Sequence, residues 1–171
     1  MSSTATAAAP STPSDEQDHQ QYLTFNLGGE MYAIGILHIK EILEFGNLTT
    51  VPMMPPFIRG VINLRGAVVS VIDLAARFGG TPSAVTKRTC IVIVEVRNGE
   101  DQQDVGIVVD SVSEVLEICA ENIEPAPNFG AKIRADFIQG MGKVENKFVI
   151  ILDVNRVLSI DEMAQLSNVG G

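Results

Sequence analysis

Side chains that could perform acid–base or nucleophilic chemistry are few in this chain and widely spaced. Asp73, Asp110 and Asp153 each follow a run of apolar, mostly β-branched residues. An aspartate at the end of a strand commonly accepts a hydrogen bond from the backbone of a turn. Neither histidine stands beside a nucleophile or an acid in a recognisable catalytic motif. We therefore interpret the aspartates as turn residues and predict that the protein is not an enzyme.

Metal and nucleotide sites are equally poorly supported. Cys90 and Cys119 lack the spacing of a CxxC pair, and His19 and His38 have no second ligand at metal-site spacing. The segment GMGKVE, which begins at Gly140, lacks the third glycine and the lysine–serine pair of phosphate-binding loops. A β-hairpin explains it better. We predict no cofactor and no metal.

The tetrapeptide Asn63-Leu64-Arg65-Gly66 separates two runs rich in valine and isoleucine. Asparagine and glycine at such a point indicate a hairpin turn, where they relieve backbone strain. An arginine at the same turn would face solvent, and its planar guanidinium could bind a partner's carboxylate or carbonyl groups with two hydrogen bonds. The turn and the binding interpretation are compatible, and both stay open at this point.

Composition limits the classes of partner. The 171 residues are 46% hydrophobic and carry a formal net charge of −9, and no window concentrates basic residues. Nucleic acid and anionic membranes are therefore not expected partners. No apolar run approaches the length of a membrane span, and the N-terminus lacks the pattern of a signal peptide. We expect a cytoplasmic protein without membrane insertion, preceded by a disordered tail, residues 1–20.

The remaining chain has mainly the period of β-strands. YLTFNL and EMYAI flank Gly28-Gly29 and predict a hairpin. The spacing of Ile36, Ile39, Ile42 and Leu43 predicts a short helix capped by Gly46. Further strands are predicted in LTTVP, in both arms of the Asn63–Gly66 turn, in TCIVIVEV, in DVGIVVD and in KFVIILDV. Ser159 and Glu162 form a capping-box pattern that predicts a C-terminal helix over residues 159–167.

Two blocks of the sequence repeat in the same order. YAIGILHIKEILE aligns with DVGIVVDSVSEVLE, placing Ile34 on Ile107, and IRGVINLRGAVVSVIDLAARF aligns with IQGMGKVENKFVIILDVNRVL, placing Asp73 on Asp153. Duplicated order indicates two similar units. We predict two small five-stranded β-barrels, approximately residues 21–82 and 87–160, with terminal segments that can be exchanged between them and an apolar seam where they pack.

These residues also carry a family resemblance. FNLGGEMYAIGILHIKEI, PPFIRGVINLRGAVVSVIDL, DVGIVVDSVSEVLEI and IEPAPNF together resemble the bacterial chemotaxis coupling proteins of the CheW family, although Ser70 stands where the family usually has proline. The resemblance implies a pair of SH3-like barrels that bridge the cytoplasmic tip of chemoreceptors to the regulatory domain of the histidine kinase CheA. It implies an adaptor without catalysis, recruited to receptor arrays, with ring assembly through the kinase domain or through itself as a further expectation.

The resemblance also implies where partners bind. A receptor helix is expected in an apolar groove with anchors from both halves, and glycines are expected to let backbones come close. The expected receptor- or kinase-binding residues are Ile39, Glu41, Gly60, Asn63, Arg65, Gly66, Gly106, Val112 and Val115. Two alternatives stay open. One is a coupler of the same fold in pilus motility or development, and the other is a small β-barrel ligand-binding protein.

Overall fold

The structure, a computed structural model, describes residues 19–46, 48–55, 57–78, 84–98, 100–125 and 137–159. Strands dominate these residues, and the helices are single turns. The strands are β1 (His19–Leu27), β2 (Glu30–Gly35), β3 (Ile39–Glu44), β4 (Ile58–Leu64), β5 (Ala67–Asp73), β6 (Cys90–Asn98), β7 (Asp101–Val109), β8 (Ser111–Cys119), β9 (Ile123–Glu124), β10 (Ile138–Val144) and β11 (Lys147–Leu152). The α-helices are α1 (Leu74–Arg77) and α2 (Val154–Val157), and 3-10 turns span Ile36–His38 and Ala120–Asn122.

The strands form two sheets. A five-stranded sheet has the order β3-β6-β7-β5-β4, and a six-stranded sheet has the order β9-β10-β11-β2-β1-β8. Neighbouring strands are antiparallel except for two parallel pairs, β5 with β7 and β11 with β2. The prediction of a mainly β protein built from two small units of SH3-like type is confirmed.

Sheet membership does not follow the repeat. The five-stranded sheet is one continuous segment, residues 39–109, whereas the six-stranded sheet combines residues 19–35 with residues 111–152. The first hairpin, β1–β2, thus pairs with strands from the end of the chain. The halves predicted from the repeat, residues 21–82 and 87–160, cut across both sheets. In addition, β1 begins at His19, within the stretch predicted to be a tail.

The internal repeat is visible in matched backbone details. The hairpin β4–β5 has a bulge between Ile58 and Gly60, and β10–β11 has one between Ile138 and Gly140. Each hairpin leads into a single helical turn whose first residue is preceded by an aspartate. Asp73 and Asp153 accept hydrogen bonds from the backbone N–H of Ala76 and of Arg156, at 3.1 and 3.3 Å. Such N-caps satisfy donors that a helix start leaves unpaired.

Three apolar clusters account for the packing. One small cluster, with Val71 and Ile93, lies inside the five-stranded sheet, and another, with Tyr22 and Ile151, lies inside the six-stranded sheet. The largest cluster joins residues of both sheets, among them Phe25, Ile107 and Phe137. We call it the inter-sheet core. Each sheet alone encloses little apolar surface, so most of the hydrophobic free energy depends on the two sheets packing together.

Two sequence predictions are wrong. Residues 36–46 do not form a helix, because only Ile36–His38 make a 3-10 turn and Ile39–Glu44 form β3, paired with β6. Half-buried and exposed residues alternate along β3, the period of a strand at a sheet edge. Gly46 therefore follows a strand and caps no helix. LTTVP contributes only an isolated bridge between Thr49 and Val61. The predicted C-terminal helix lies outside the described residues, apart from Ser159.

Candidate functional site

The tetrapeptide Asn63–Gly66 closes a two-residue hairpin. Leu64 pairs with Ala67, and the residues between them, Arg65 and Gly66, have φ angles of 53° and 87°. Positive φ at both central residues is the geometry whose twist matches antiparallel strands. The side chain of Asn63 accepts a hydrogen bond from the Gly66 N–H at 3.0 Å. The turn interpretation is therefore correct, and the strained backbone position falls on Arg65.

The turn also presents Arg65 to solvent and places it beside Glu41. The side chain of Arg65 is 75% exposed, and its Nη2 lies 2.8 Å from Oε1 of Glu41, whose side chain is 26% exposed. Glu41 belongs to β3 and Arg65 to the β4–β5 hairpin, at opposite edges of the five-stranded sheet. The ion pair therefore spans the curled edges of one unit. Two predicted site residues from distant parts of the sequence meet there.

The other predicted anchors are apolar residues on two edge strands, β3 of one sheet and β8 of the other, and we call this set the apolar row. Ile39 lies on β3 and Val112 on β8, and both are half-buried against the inter-sheet core. They occupy equivalent positions of the repeat. Ile42 and Val115 are equivalent as well, and they are 43% and 46% exposed. Since β3 and β8 are edge strands of different sheets, the relative position of the sheets sets how these side chains are spaced.

Gly60 and Gly106, two of the three glycines predicted as binding residues, lie inside the five-stranded sheet. A Cβ at Gly60 would come within 2.3 Å of the Thr49 carbonyl oxygen, and one at Gly106 within 2.8 Å of Ile91 Cγ2. Both glycines are buried. Their close approaches are therefore to neighbouring residues of this chain, and contact of either glycine with a partner stays a prediction.

Sequence reasoning missed an exposed apolar pair at the two hairpin tips. Val68 on β5 is 74% exposed and its repeat equivalent, Phe148 on β11, is 50% exposed. The second tip also turns through positive φ, at Glu145 and Asn146. Each exposed residue is the second one after a two-residue turn, and strand alternation from the buried Val69 and Val149 would have placed both outward. The tips differ in charge, because Glu145 occupies the position of Arg65.

The aspartates have structural roles. Asp110 Oδ2 accepts a hydrogen bond from the Gly28 N–H at 2.8 Å, which ties β7 to the first hairpin turn. Asp73 is fully buried and forms an ion pair with Arg59, Nη1 to Oδ2, at 2.9 Å. Arg59 also lies over the Phe45 ring, 5.4 Å from its centroid. The interpretation as turn residues is confirmed for Asp73 and Asp153, which cap the helical turns that follow them, whereas Asp110 binds the turn of a distant hairpin.

The part of the chain that the structure describes contains no cluster of three or more histidine, cysteine, aspartate or glutamate side chains that could hold a metal ion. Among the same residues, no helix is long and apolar enough to cross a membrane. The candidate site consists of an ion pair, an apolar row and two hairpin tips.

Comparison with known proteins places this chain in a family. The model of the CheW-like domain matches residues 21–162. The chain belongs to the CheW family. It is 38% identical to the chemotaxis protein CheW of Klebsiella aerogenes over 150 residues, which is 88% of each chain. It is 36% identical to CheW of Bacillus subtilis over 139 residues, 81% of this chain and 86% of that protein.

A solved structure agrees with this assignment. The scaffolding protein TtCheW from Thermoanaerobacter tengcongensis superimposes with a TM-score of 0.73 at 35% sequence identity, covering 81% of this chain and 86% of that one. This chain and TtCheW therefore share one fold, the mainly β architecture of two sheets described above.

Proposed function

We propose that this CheW-family chain is a non-catalytic adaptor that couples chemoreceptors to the histidine kinase CheA in chemotaxis. Similarity over most of both chains to proteins named as chemotaxis CheW proteins supports the pathway, and similarity to a scaffolding protein supports the mode of action. The observation that carries the proposal is the ion pair of Arg65 with Glu41 beside an apolar row drawn from both sheets. It is a surface without catalytic groups and with two kinds of anchor.

The mechanism is simultaneous binding. A helix of the receptor tip binds along Ile39, Val112 and Val115, which supply apolar anchors from both sheets. Arg65 and Glu41 lie on the β3 side of the apolar row and supply polar contacts that orient the helix. The regulatory domain of CheA docks on a barrel surface at the same time, so that kinase activity follows the receptor's state. The protein acts in the cytoplasm at membrane-associated arrays.

Such an adaptor works with moderate affinities. A micromolar contact corresponds to roughly 8 kcal/mol, and several contacts within one array reinforce one another through effective concentration. Exposed ion pairs and partly exposed valines suit this range, since each contributes little alone. The array then assembles without losing the ability to respond to small receptor movements.

The unlike turn residues of the two hairpin tips favour head-to-tail assembly, although Lys143 and Lys147 flank the glutamate. Arg65 marks one tip and Glu145 the other, each beside an exposed apolar side chain. Contacts between unlike ends of similar units close into rings when the rotation allows it. The partner at each end is the kinase's homologous domain or a second copy of this chain. Arg65→Glu should weaken association measured by sedimentation, and adding Glu145→Arg should restore it; weakening without restoration would refute the charge pairing.

The direct test is ATP turnover by CheA assembled with receptor cytoplasmic fragments on vesicles, with and without this protein. We expect strong, receptor-dependent stimulation. Val115→Asp should abolish most of it, while Val85→Asp, at a valine of similar exposure (53% against 46%) outside both β3 and β8, should leave it intact. Binding of the kinase without stimulation would point to other receptors or to a pilus or developmental pathway. Binding to neither partner would refute the adaptor proposal.

A further inference from the structure

One buried arginine joins the two sheets at the centre of the molecule. Arg77 ends α1, is only 9% exposed, and its Nε donates a hydrogen bond to the Val157 carbonyl oxygen at 2.9 Å. Its guanidinium carbon lies 5.7 Å from the centroid of the Phe57 ring and 4.8 Å from that of the Phe137 ring. A charged side chain so deeply buried is costly unless its donors and its charge are accommodated.

The partners of Arg77 come from both repeats. Phe57 and Phe137 are equivalent residues, one preceding β4 and the other preceding β10. Val157 is the repeat equivalent of Arg77 itself, so the arginine reaches across the pseudo-symmetric junction to the residue that occupies its own place in the other half. The repeat is therefore asymmetric at this buried position, where one copy supplies the donor and the other supplies the acceptor.

A hydrogen bond at this position adds direction to an otherwise apolar contact. The inter-sheet core contains Phe57, Phe137 and Val157 among its buried residues. Burial of apolar surface is not directional, and such cores tolerate repacking as long as volume is conserved. A hydrogen bond and two ring contacts are satisfied together only within a narrow range of positions. Rotation of one sheet against the other would move Phe137 and the Val157 carbonyl away from Arg77.

We propose that Arg77 is a positioning residue that holds the two sheets at one relative orientation. This orientation sets the spacing between β3 and β8, because these edge strands belong to different sheets. In a different orientation of the two sheets, Ile39 and Val112 would stay packed, but the distance between them would change. The consequence for receptor binding rests on the proposed function, whereas the structural role of Arg77 does not.

The test uses residual dipolar couplings of backbone amides in the weakly aligned full-length protein. In the wild type, one alignment tensor should fit the strands of both sheets. In Arg77→Met, which keeps an unbranched apolar stem but removes the hydrogen bond, the charge and the ring contacts of the guanidinium, we expect a cooperative melt and two differently oriented tensors. Arg156→Met is the matched control, since Arg156 is an exposed arginine of the equivalent helix, and it should retain one tensor.

Several results would overturn the proposal. Suppose that Arg77→Met melts cooperatively and that one alignment tensor, as in the wild type, fits the dipolar couplings of both sheets. The apolar core alone would then set the orientation. Should the methionine variant fail to fold, Arg77→Lys, which keeps the charge but loses Nε and the planar fork, takes its place with the same expectation. Failure of both variants to fold would make Arg77 a residue required for folding rather than for positioning.

Binding measurements separate this inference from the adaptor proposal. Arg77→Met should bind a receptor cytoplasmic fragment about tenfold more weakly, a coupling of ordinary size between distant positions. Binding of the isolated CheA regulatory domain, which docks on one barrel, should change by less than about twofold. If the wild type itself binds no receptor fragment, the adaptor proposal fails, and the dipolar couplings still decide the role of Arg77.

Discussion

Two ion pairs of similar length differ in how far water reaches them. Arg65–Glu41 and Arg59–Asp73 measure 2.8 and 2.9 Å. The first is largely exposed at the arginine, whereas the carboxylate of the second is fully buried and also caps α1. Water and salt screen the first pair, and little screens the second. Arg65 can therefore exchange its partner at small cost, as a contact residue must.

Arg65→Ala should lower the free energy of unfolding by less than about 1 kcal/mol, because the pair it breaks is exposed. Asp73→Ala should lower it by about 2–4 kcal/mol, because it leaves Arg59 without that carboxylate and removes a helix cap. Urea unfolding followed by circular dichroism measures both. Receptor-dependent kinase stimulation should fall in Arg65→Ala although the fold persists. A large loss of stability in Arg65→Ala would make Arg65 structural instead.

The tyrosines should titrate abnormally. Burial raises the pKa of Tyr22 above its ordinary 10.0, and burial together with the nearby Glu30 charge raises that of Tyr32. The unfolded chain then loses its phenolic protons first, so the free energy of unfolding should fall as pH rises above 10.0. These are the chain's two tyrosines, and it has no tryptophan, so absorbance of the phenolate reports them directly. If the phenolate titration midpoints of the folded protein equal those of the chain unfolded in urea, the prediction is wrong.

At the scale of elements, the two repeated hairpins share their backbone geometry but differ in the residues that surround them. Both β4–β5 and β10–β11 bulge at a glycine and turn through positive φ. The glycines nevertheless meet different neighbours, because Gly60 has φ of 152° and faces the Thr49 backbone, whereas Gly140 faces the Ile123 side chain. The backbone that pairs with the outer edge of each hairpin also differs. At β4 it is an isolated bridge from Thr49, and at β10 it is the two-residue strand β9.

Gly60→Ala should therefore destabilise the protein more than Gly140→Ala. A methyl group at Gly60 combines a rarely allowed backbone angle with a clash against a carbonyl oxygen, and we expect a loss of about 3 kcal/mol. At Gly140 the methyl displaces a side chain at a sheet edge, at a cost of about 1 kcal/mol. Thermal melting of the two variants measures the difference. Equal decreases in melting temperature would mean that the backbone at Thr49 moves away from the added methyl group as readily as β9 does.

At the scale of the whole molecule, strand pairing follows the sheets and not the repeats, so we expect the sheets to be the cooperative units. Residues 39–109 supply all five strands of one sheet, while a cut between β5 and β6 separates paired strands in both sheets. Most buried apolar side chains lie in the inter-sheet core. Neither repeat half therefore has a complete sheet to fold by itself.

Expression of fragments tests this directly. Residues 1–82, one repeat half, should show no cooperative melt, because β1–β2 lose β8 and β11, and β5 loses β7. Residues 36–110 have similar length and should retain strand structure with a weak transition, since their pairing is complete although the inter-sheet face is exposed. Circular dichroism with temperature compares them. A cooperative melt in the first fragment, with none in the second, would make the repeat the folding unit.

Several features followed from the amino-acid sequence alone. Alternation of apolar residues specified strands in both halves, and Gly28-Gly29 and Arg65-Gly66 marked two tight turns. These are local properties, since side-chain period and backbone preference act within a few residues. The repeat of Asp73 at Asp153 likewise predicted matched turns. Residues 36–46 misled the same reasoning, because the spacing of Ile39, Ile42 and Leu43 suits one helix face and the pairing with β6 decided otherwise.

Other features were decided only by the tertiary structure. The parallel pairing of β2 with β11, the ion pair between Glu41 and Arg65, and the place of Arg77 between two phenylalanine rings all join residues far apart in the chain. No local pattern encodes such contacts, because their free energy arises only when water is excluded between packed sheets. The sequence thus determined the strands, the turns and the family, while packing decided which residues share a surface.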